Sequence, residues 1–163
     1  MDTLGNLHAF HGGHPVPTEG SELGAQAIAQ LVDTLSEADS LLCLISGGGS
    51  ALMTLPPFGV SLHDIRETTD CLLRAGVTID ELNCVRKHLD ELKGGGLAKI
   101  AAPARVMGLL LSDVLGDRPE VIASGPLSPD QTTFADALAV LESRHVRDRM
   151  PAPALEYLES GAR

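Results

Sequence analysis

A glycine-rich segment follows the first apolar run of the chain and consists of Ser46, Gly47, Gly48, Gly49 and Ser50. Glycines let the backbone approach a ligand closely, and the amide groups of such a turn can hold an anion. The spacing matches neither a P-loop nor a dinucleotide-binding fingerprint, since Leu52 stands where the third glycine is needed. The segment therefore predicts either a cradle for phosphate or carboxylate groups, or a plain tight turn at the end of a strand.

Basic residues are concentrated between positions 86 and 105, although the whole chain has a net charge of −10. They are Arg86, Lys87, Lys93, Lys99 and Arg105, with only Asp90 and Glu91 to oppose them. Arginine offers a planar fork of donors and lysine a point charge, so this stretch favours a ligand that carries phosphate or carboxylate. A solvated helix face is the alternative, because charge runs usually have that role.

Apolar residues at helical spacing predict a helix from Asp80 to Leu92, ended by the glycines at 94–96. At about 100° per residue, one border of its apolar stripe carries Asn83, Arg86, Asp90 and Lys93. Arg86 and Lys93 are therefore expected to project from the same side.

Two carboxylates, Asp113 and Asp117, follow the second apolar run at residues 106–111. Ligands of open α/β sheets bind at the carboxyl ends of the strands. The two aspartates could bind Mg²⁺ through water or accept a proton from a substrate hydroxyl. The alternative is that both cap local turns.

Three histidines, His8, His11 and His14, are spaced three apart near the start of the chain. No cysteine or further histidine completes a zinc set nearby, so this segment favours a loop that lines a cleft over a metal site.

Hydrophobic periodicity predicts alternating helices and short buried strands, and hence an α/β fold. Two strands are expected, at residues 41–45 and 106–111. The other helices are expected from Gly20 to Leu35, from Ser61 to Arg74, at 97–101, and from Thr133 to Ser143. Ser21 is the expected cap of the first, and Ser61 and Asp64 form the expected capping box of the second. One domain should cover residues 1–150, followed by a short polar tail at 151–163 that Pro151 and Pro153 separate from it.

Two strands make a thin sheet for a chain of 163 residues. Either further strands exist, for example at 77–79 or 121–122, or the chain is part of a larger fold. The expected architecture is a Rossmann-like, layered α/β/α arrangement around a mostly parallel sheet, as an incomplete piece of a larger domain. The long connection at 114–131 is expected to be functional or mobile.

Composition excludes several classes of protein. With 44% hydrophobic and 21% charged residues the chain is globular, and its acidic balance with 2% aromatic residues disfavours nucleic acid as a partner. The N-terminus has no basic or apolar leader, and no run of about 18 apolar residues predicts a membrane span. We expect a cytoplasmic protein in which Cys43, Cys71 and Cys84 are reduced thiols.

Four motifs in this order together resemble the glycerate 2-kinase family, whose members are also labelled hydroxypyruvate reductases or MOFRL-associated domains. They lie at residues 14–20, 46–52, 82–95 and 112–126. The resemblance implies ATP-dependent phosphorylation of D-glycerate at its 2-hydroxyl, with Mg²⁺, to give 2-phosphoglycerate.

On this hypothesis each motif has an expected role, because phosphoryl transfer depends on positioning and charge stabilisation. Arg86, Lys93 and Asp113 are the expected catalytic residues, and Asp113 and Asp117 the expected ligands of Mg²⁺. Phosphate or substrate contacts are expected from Ser46, Gly47, Gly48, Gly49, Ser50, Lys87 and His14.

The chain also departs from the family, whose members are more than twice as long. They have a lysine-bearing turn upstream and a MOFRL domain downstream, and their principal catalytic lysine and arginine lie in those parts. Two other functions therefore stay open. One is an NAD(P)-dependent hydroxypyruvate reductase, although no dinucleotide fingerprint follows either strand. The other is a non-catalytic fragment that binds glycerate-like anions and needs a homo-oligomeric partner or a second domain.

Overall fold

The computed structural model describes residues 2–112 and 114–163. The secondary structure begins with a small antiparallel hairpin of β1 (Asp2–Leu4) and β2 (Leu7–Ala9). Strands β3 (Ser40–Ser46) and β4 (Arg105–Leu111) pair in parallel, from Ser40 opposite Arg105 to Ser46 opposite Leu111. The helices are α1 (Glu19–Asp33), α2 (Gly49–Leu52), α3 (Leu62–Arg74), α4 (Ile79–His88), α5 (Gly96–Ile100), α6 (Phe134–Ser143) and α7 (Ala152–Gly161).

The α/β fold with a parallel sheet is confirmed, and most elements lie where the sequence predicts them. Helix α3 starts at the predicted capping box, in which the Asp64 amide donates to Ser61 Oγ at 3.2 Å and Asp64 Oδ2 accepts from the Ser61 amide at 2.8 Å. The predicted cap of α1 is wrong, because Thr18 is the cap and Ser21 occupies the third helical position. Ser21 Oγ accepts from the amides of Thr18 and Gly13, both at 3.0 Å.

The predicted helix from Asp80 to Leu92 ends early, at His88. After it, the Glu91 amide donates to the Leu55 carbonyl at 2.8 Å, and Asp90 accepts from the Leu55 amide at 3.1 Å. The backbone of 89–93 therefore bonds to the segment after α2 instead of continuing the helix, so Lys93 is not on α4. The suggested extra strands are also wrong, because Thr78 caps α4 and Ile122 begins a 3₁₀ turn.

The predicted polar tail is instead helix α7, which belongs to the core. Leu158 and Ala154 are completely buried, in a cluster with Leu72, Val85 and Leu141. Proline is tolerated in the first turn of a helix, where the missing N–H has no partner in any case. Pro151 and Pro153 therefore start a helix here and do not mark a separate tail.

We predict that Leu158→Ala lowers the free energy of unfolding by about 3 kcal/mol, because it removes a fully buried side chain and leaves a cavity. Leu115→Ala is the matched control, since Leu115 is 99% exposed and its loss should cost less than about 0.5 kcal/mol. Urea denaturation followed by circular dichroism measures both. Equal, small effects would contradict the packing of α7.

The sheet is less covered than its apolar sequence predicts. Leu41, Cys43 and Val106 pack beside α1 and α5, but Leu44 is 75% and Leu111 74% exposed. The expectation of fully buried strands is therefore wrong for this chain, because no further layer of the described residues covers the other face. No helix in the described part of the chain is long and apolar enough to cross a bilayer.

Candidate anion-binding site

Three segments that are distant in sequence meet at the carboxyl end of β3. The Gly94 amide donates to the Ser124 carbonyl at 3.0 Å, and the Gly95 amide donates to the Gly125 carbonyl at 2.8 Å. Ser124 Oγ lies 2.6 Å from Ser50 Oγ. The glycine segment, residues 94–95 and the turn at 122–126 thus form one site.

The glycine segment runs from β3 into the short helix α2. It is packed so closely that a side chain at Gly48 or Gly49 would crowd neighbouring residues. Gly48 has a left-handed φ of +82°, and a Cβ on it would lie 3.2 Å from Cδ2 of His14. A Cβ on Gly49 would lie 2.7 Å from the Cβ of Ala123. His14 therefore lies beside the glycine segment.

The turn at 122–126 has an unusual backbone beside this segment. Ala123, Ser124 and Gly125 are consecutive and all left-handed, with φ of +51°, +60° and +64°. Left-handed backbone costs about 1–3 kcal/mol at a residue other than glycine, and such strain is concentrated at functional sites. The surrounding contacts hold the turn, since Ala123 and Ser124 are both buried.

Arg86 contacts the glycine segment directly. Arg86 lies on α4 and is partly buried. Its Nη2 donates to the Ser50 carbonyl at 3.1 Å. Burial lowers the pKa of Arg86, and the charge of Asp90 opposes that shift. Among the described residues no carboxylate forms an ion pair with Arg86.

Lys93 lies behind the segment, 4% exposed, and forms a buried ion pair with Asp90. Its Nζ also donates to the Met53 carbonyl at 3.0 Å and to Thr54 Oγ1 at 3.4 Å, so its three protons have three protein acceptors. Burial lowers the pKa of Lys93, and Asp90 opposes the shift.

The charges around the segment do not balance. Asp90 lies within the electrostatic reach of both Arg86 and Lys93 but pairs only with Lys93. One positive charge is therefore left without a counter-charge among the described residues. A largely buried charge without a partner is costly, so this arrangement favours binding of an anion.

The other predicted site residues are placed differently. Lys87 Nζ lies 3.4 Å from Asp130 Oδ1. Lys87 also lines a small cleft of about 150 Å³ together with Asn83 and Thr132. Asp117 is exposed, and Asp113 lies outside the described residues. The described part of the chain has no group of three histidine, cysteine, aspartate or glutamate side chains that could hold a metal ion.

Sequence reasoning did not select Asn83, Ser124, Asp90 or Thr54, which together fix the glycine segment. Asn83 Oδ1 accepts from Ser124 Oγ at 3.0 Å, and Thr54 Oγ1 donates to the Ser50 carbonyl at 3.2 Å. A signal existed for two of them, because the helical wheel places Asn83 and Asp90 on the same border as Arg86. Ser124 belongs to the motif at 112–126, but no spacing connects it with Asn83 or connects Thr54 with Lys93, since these partners are distant in sequence.

Comparisons with known proteins connect this chain to one family. Residues 2–159 match a family model described as "Domain of unknown function (DUF4147)". The chain is 50% identical over 139 residues to a D-glycerate 2-kinase of Thermotoga maritima, with 85% of this chain and 33% of the relative covered. It is 44% identical over 160 residues to a glycerate 2-kinase of Pyrococcus horikoshii, with 98% and 36% covered.

Similarity extends to a solved structure. The crystal structure of a glycerate kinase of Thermotoga maritima matches with a TM-score of 0.89 and 44% identity, over 97% of this chain and 38% of that chain. This chain therefore spans about a third of the length of the curated relatives it matches.

Proposed function

We propose that this chain, which belongs to the DUF4147 family, supplies the anion-binding part of the active site of a glycerate 2-kinase. The membership and the named relatives confirm the family resemblance predicted from the four motifs. The relatives support a kinase function, and the chemistry assigned to this chain is the proposal.

The observation that carries the proposal is the unpaired charge of Arg86 beside the glycine segment. A structural arginine at this depth normally has a carboxylate partner, because an unpaired buried charge lowers stability. Here the available carboxylate, Asp90, pairs with Lys93. An anionic group of a ligand on the glycine side, such as the carboxylate of D-glycerate or a phosphate, would supply the missing counter-charge.

In the proposed reaction ATP phosphorylates D-glycerate. The O2 atom of D-glycerate forms a bond to the γ-phosphorus, the bond from that phosphorus to the β,γ-bridging oxygen breaks, and the 2-hydroxyl proton leaves to solvent. The products are 2-phosphoglycerate and ADP. Arg86 neutralises the anion, and the amides of Gly47, Gly48 and Gly49 bind it. Ser46 stands at the start of this anion-binding turn, and His14 closes one side of it. Lys93, whose charge is paired with Asp90, supports the segment from behind through its hydrogen bonds to the Met53 carbonyl and to Thr54.

The described residues suit the phosphate groups of ATP better than they suit Mg²⁺. The excess positive charge at the glycine segment suits a phosphate group. A protein-built magnesium site needs carboxylates, but the described part of the chain has no group of three histidine, cysteine, aspartate or glutamate side chains that could hold an ion, and Asp117 is exposed. Mg²⁺ usually keeps several waters and binds through one or two carboxylates together with substrate phosphates. We propose Asp113 and Asp117 as those carboxylates.

Calorimetric titration of the purified chain tests the proposal. We expect D-glycerate and inorganic phosphate to bind and to compete with each other, because both would take the counter-charge position at Arg86. Arg74→Ala, which removes an exposed arginine paired with Asp70 on α3, should bind both ligands like the parent chain. Failure of both ligands to bind would overturn the proposal.

A parallel assay of turnover separates the remaining alternatives. The chain is incubated with ATP, Mg²⁺ and D-glycerate, and 2-phosphoglycerate is followed through enolase. Turnover would mean that the chain holds a complete kinase site. Binding without turnover would mean that further parts of the kinase are needed. Oxidation of NADH in the presence of hydroxypyruvate would instead favour a reductase.

A further inference from the structure

The hydrogen bonds behind the glycine segment fix the direction of one proton. Ser124 Oγ lies 3.0 Å from Asn83 Oδ1, which is a carbonyl oxygen and can only accept. The single hydroxyl proton of Ser124 is therefore directed to Asn83. Both residues are buried, with Ser124 1% and Asn83 7% exposed, so water does not compete for this bond.

That direction decides what Ser50 can do. Ser50 Oγ lies 2.6 Å from Ser124 Oγ, and a bond of that length needs one donor. Since Ser124 has already donated its proton, Ser50 must be the donor. The hydroxyl of Ser50 thus has no proton left for a ligand and presents only lone pairs.

The rest of Ser50 is held equally firmly. Its carbonyl accepts from Arg86 Nη2 at 3.1 Å and from Thr54 Oγ1 at 3.2 Å, while the residue as a whole keeps part of its surface exposed. The hydroxyl therefore cannot turn to donate to an anion without breaking the bond to Ser124. A phosphate or carboxylate oxygen placed against Ser50 Oγ would meet another acceptor.

We infer that Ser50 accepts a hydrogen bond from a hydroxyl group of the ligand, and that Asn83 and Ser124 are positioning residues that impose this polarity. The inference rests on the proposed function and deepens it. Arg86 and the glycine amides bind the anionic end of the ligand, and Ser50 recognises the hydroxyl end. The site is then selective for hydroxy carboxylates over simple anions.

Ser124→Ala tests the inference, because it frees the Ser50 proton while leaving Arg86 and the glycines in place. We expect the affinity for D-glycerate to change little, because Ser50 keeps the lone pairs that accept from the ligand hydroxyl, and the affinity for inorganic phosphate to rise, because the freed Ser50 proton can now be donated to an anion. Ser50→Ala should lower the affinity for D-glycerate about tenfold, because the ligand hydroxyl loses its acceptor, and should leave the affinity for phosphate within about twofold. The double variant should behave like Ser50→Ala. Ser160→Ala, an exposed serine on α7, is the matched control and should change neither affinity.

The ligand provides a second readout. 3-Hydroxypropionate and D-lactate each lack a different hydroxyl of D-glycerate. In the parent chain, the analogue without the hydroxyl that Ser50 accepts should bind about tenfold more weakly than D-glycerate, and Ser50→Ala should abolish that difference. Equal weakening of D-glycerate and phosphate by Ser124→Ala would mean a purely structural role and overturn the inference. Equal binding of D-glycerate and both analogues to the parent chain would also overturn it. Absence of any binding to the parent chain would instead reject the proposed function, and circular dichroism verifies that each variant is folded.

Discussion

Asp90→Ala is expected to lower the free energy of unfolding by about 3–5 kcal/mol, which is a large part of the stability of a small domain. Asp90 accepts three hydrogen bonds from a buried position, one from Lys93 and one each from the amides of Leu55 and Leu92. Its loss leaves the Lys93 ammonium buried without a counter-charge and two backbone amides without acceptors.

A second variant distinguishes charge from packing. In Asp90→Ala with Lys93→Met the buried cation is also removed, so part of the lost stability should return. Glu91→Ala is the matched control, because Glu91 is the exposed neighbour and its replacement should change stability by less than about 0.5 kcal/mol. Chemical denaturation measures all three. If Asp90→Ala and Glu91→Ala had the same small effect, the pair would not stabilise the fold.

The pH dependence of the Asp90→Ala variant has a defined sign. Burial lowers the pKa of Lys93, and Asp90 is the group that opposes this shift in the parent chain. Without Asp90 the folded-state pKa of Lys93 should fall further below its value in the unfolded chain. With its folded-state pKa lowered, Lys93 binds its proton more tightly in the unfolded chain than in the folded one. The free energy of unfolding of the variant should therefore rise with pH from the folded pKa up to the unfolded pKa of lysine, about 10.4.

The elements that follow from local sequence could be predicted, and those that depend on distant partners could not. The strands β3 and β4 and the helices α3 and α6 have apolar periodicity or capping residues within their own sequence. Helix α4 ends at His88 because the segment after it bonds to Leu55, more than 30 positions earlier in the chain. No pattern local to residues 80–92 contains that information.

The same distinction holds for the site. The glycine segment and Arg86 are recognisable from residue type, and the structure brings them together. The polarity of Ser50 is set by Ser124 and Asn83, and no spacing rule connects positions 50, 83 and 124. Lys93 has the expected residue type, but its protons are used by Met53, Thr54 and Asp90.

Arg86→Ala is expected to weaken the binding of D-glycerate and of inorganic phosphate by about 10- to 100-fold. A hydrogen bond to a charged group contributes about 1.5–3 kcal/mol, and about 1.4 kcal/mol corresponds to a factor of ten in affinity. Arg86→Lys should recover only part of the affinity, because lysine keeps the charge and loses the planar fork. Isothermal titration calorimetry measures the affinities, with Arg74→Ala as the control for loss of an exposed arginine.

The stability of the same variant should change little, and this distinguishes a binding residue from a structural one. Arg86 donates one hydrogen bond to the Ser50 carbonyl but has no carboxylate partner among the described residues, so its removal also relieves an unpaired, largely buried charge. These two effects have opposite signs, and we expect the free energy of unfolding to stay within about 1 kcal/mol of the parent. Unchanged affinity for both anions, or a stability loss as large as that of Asp90→Ala, would mean that Arg86 supports the fold and that another group holds the anion.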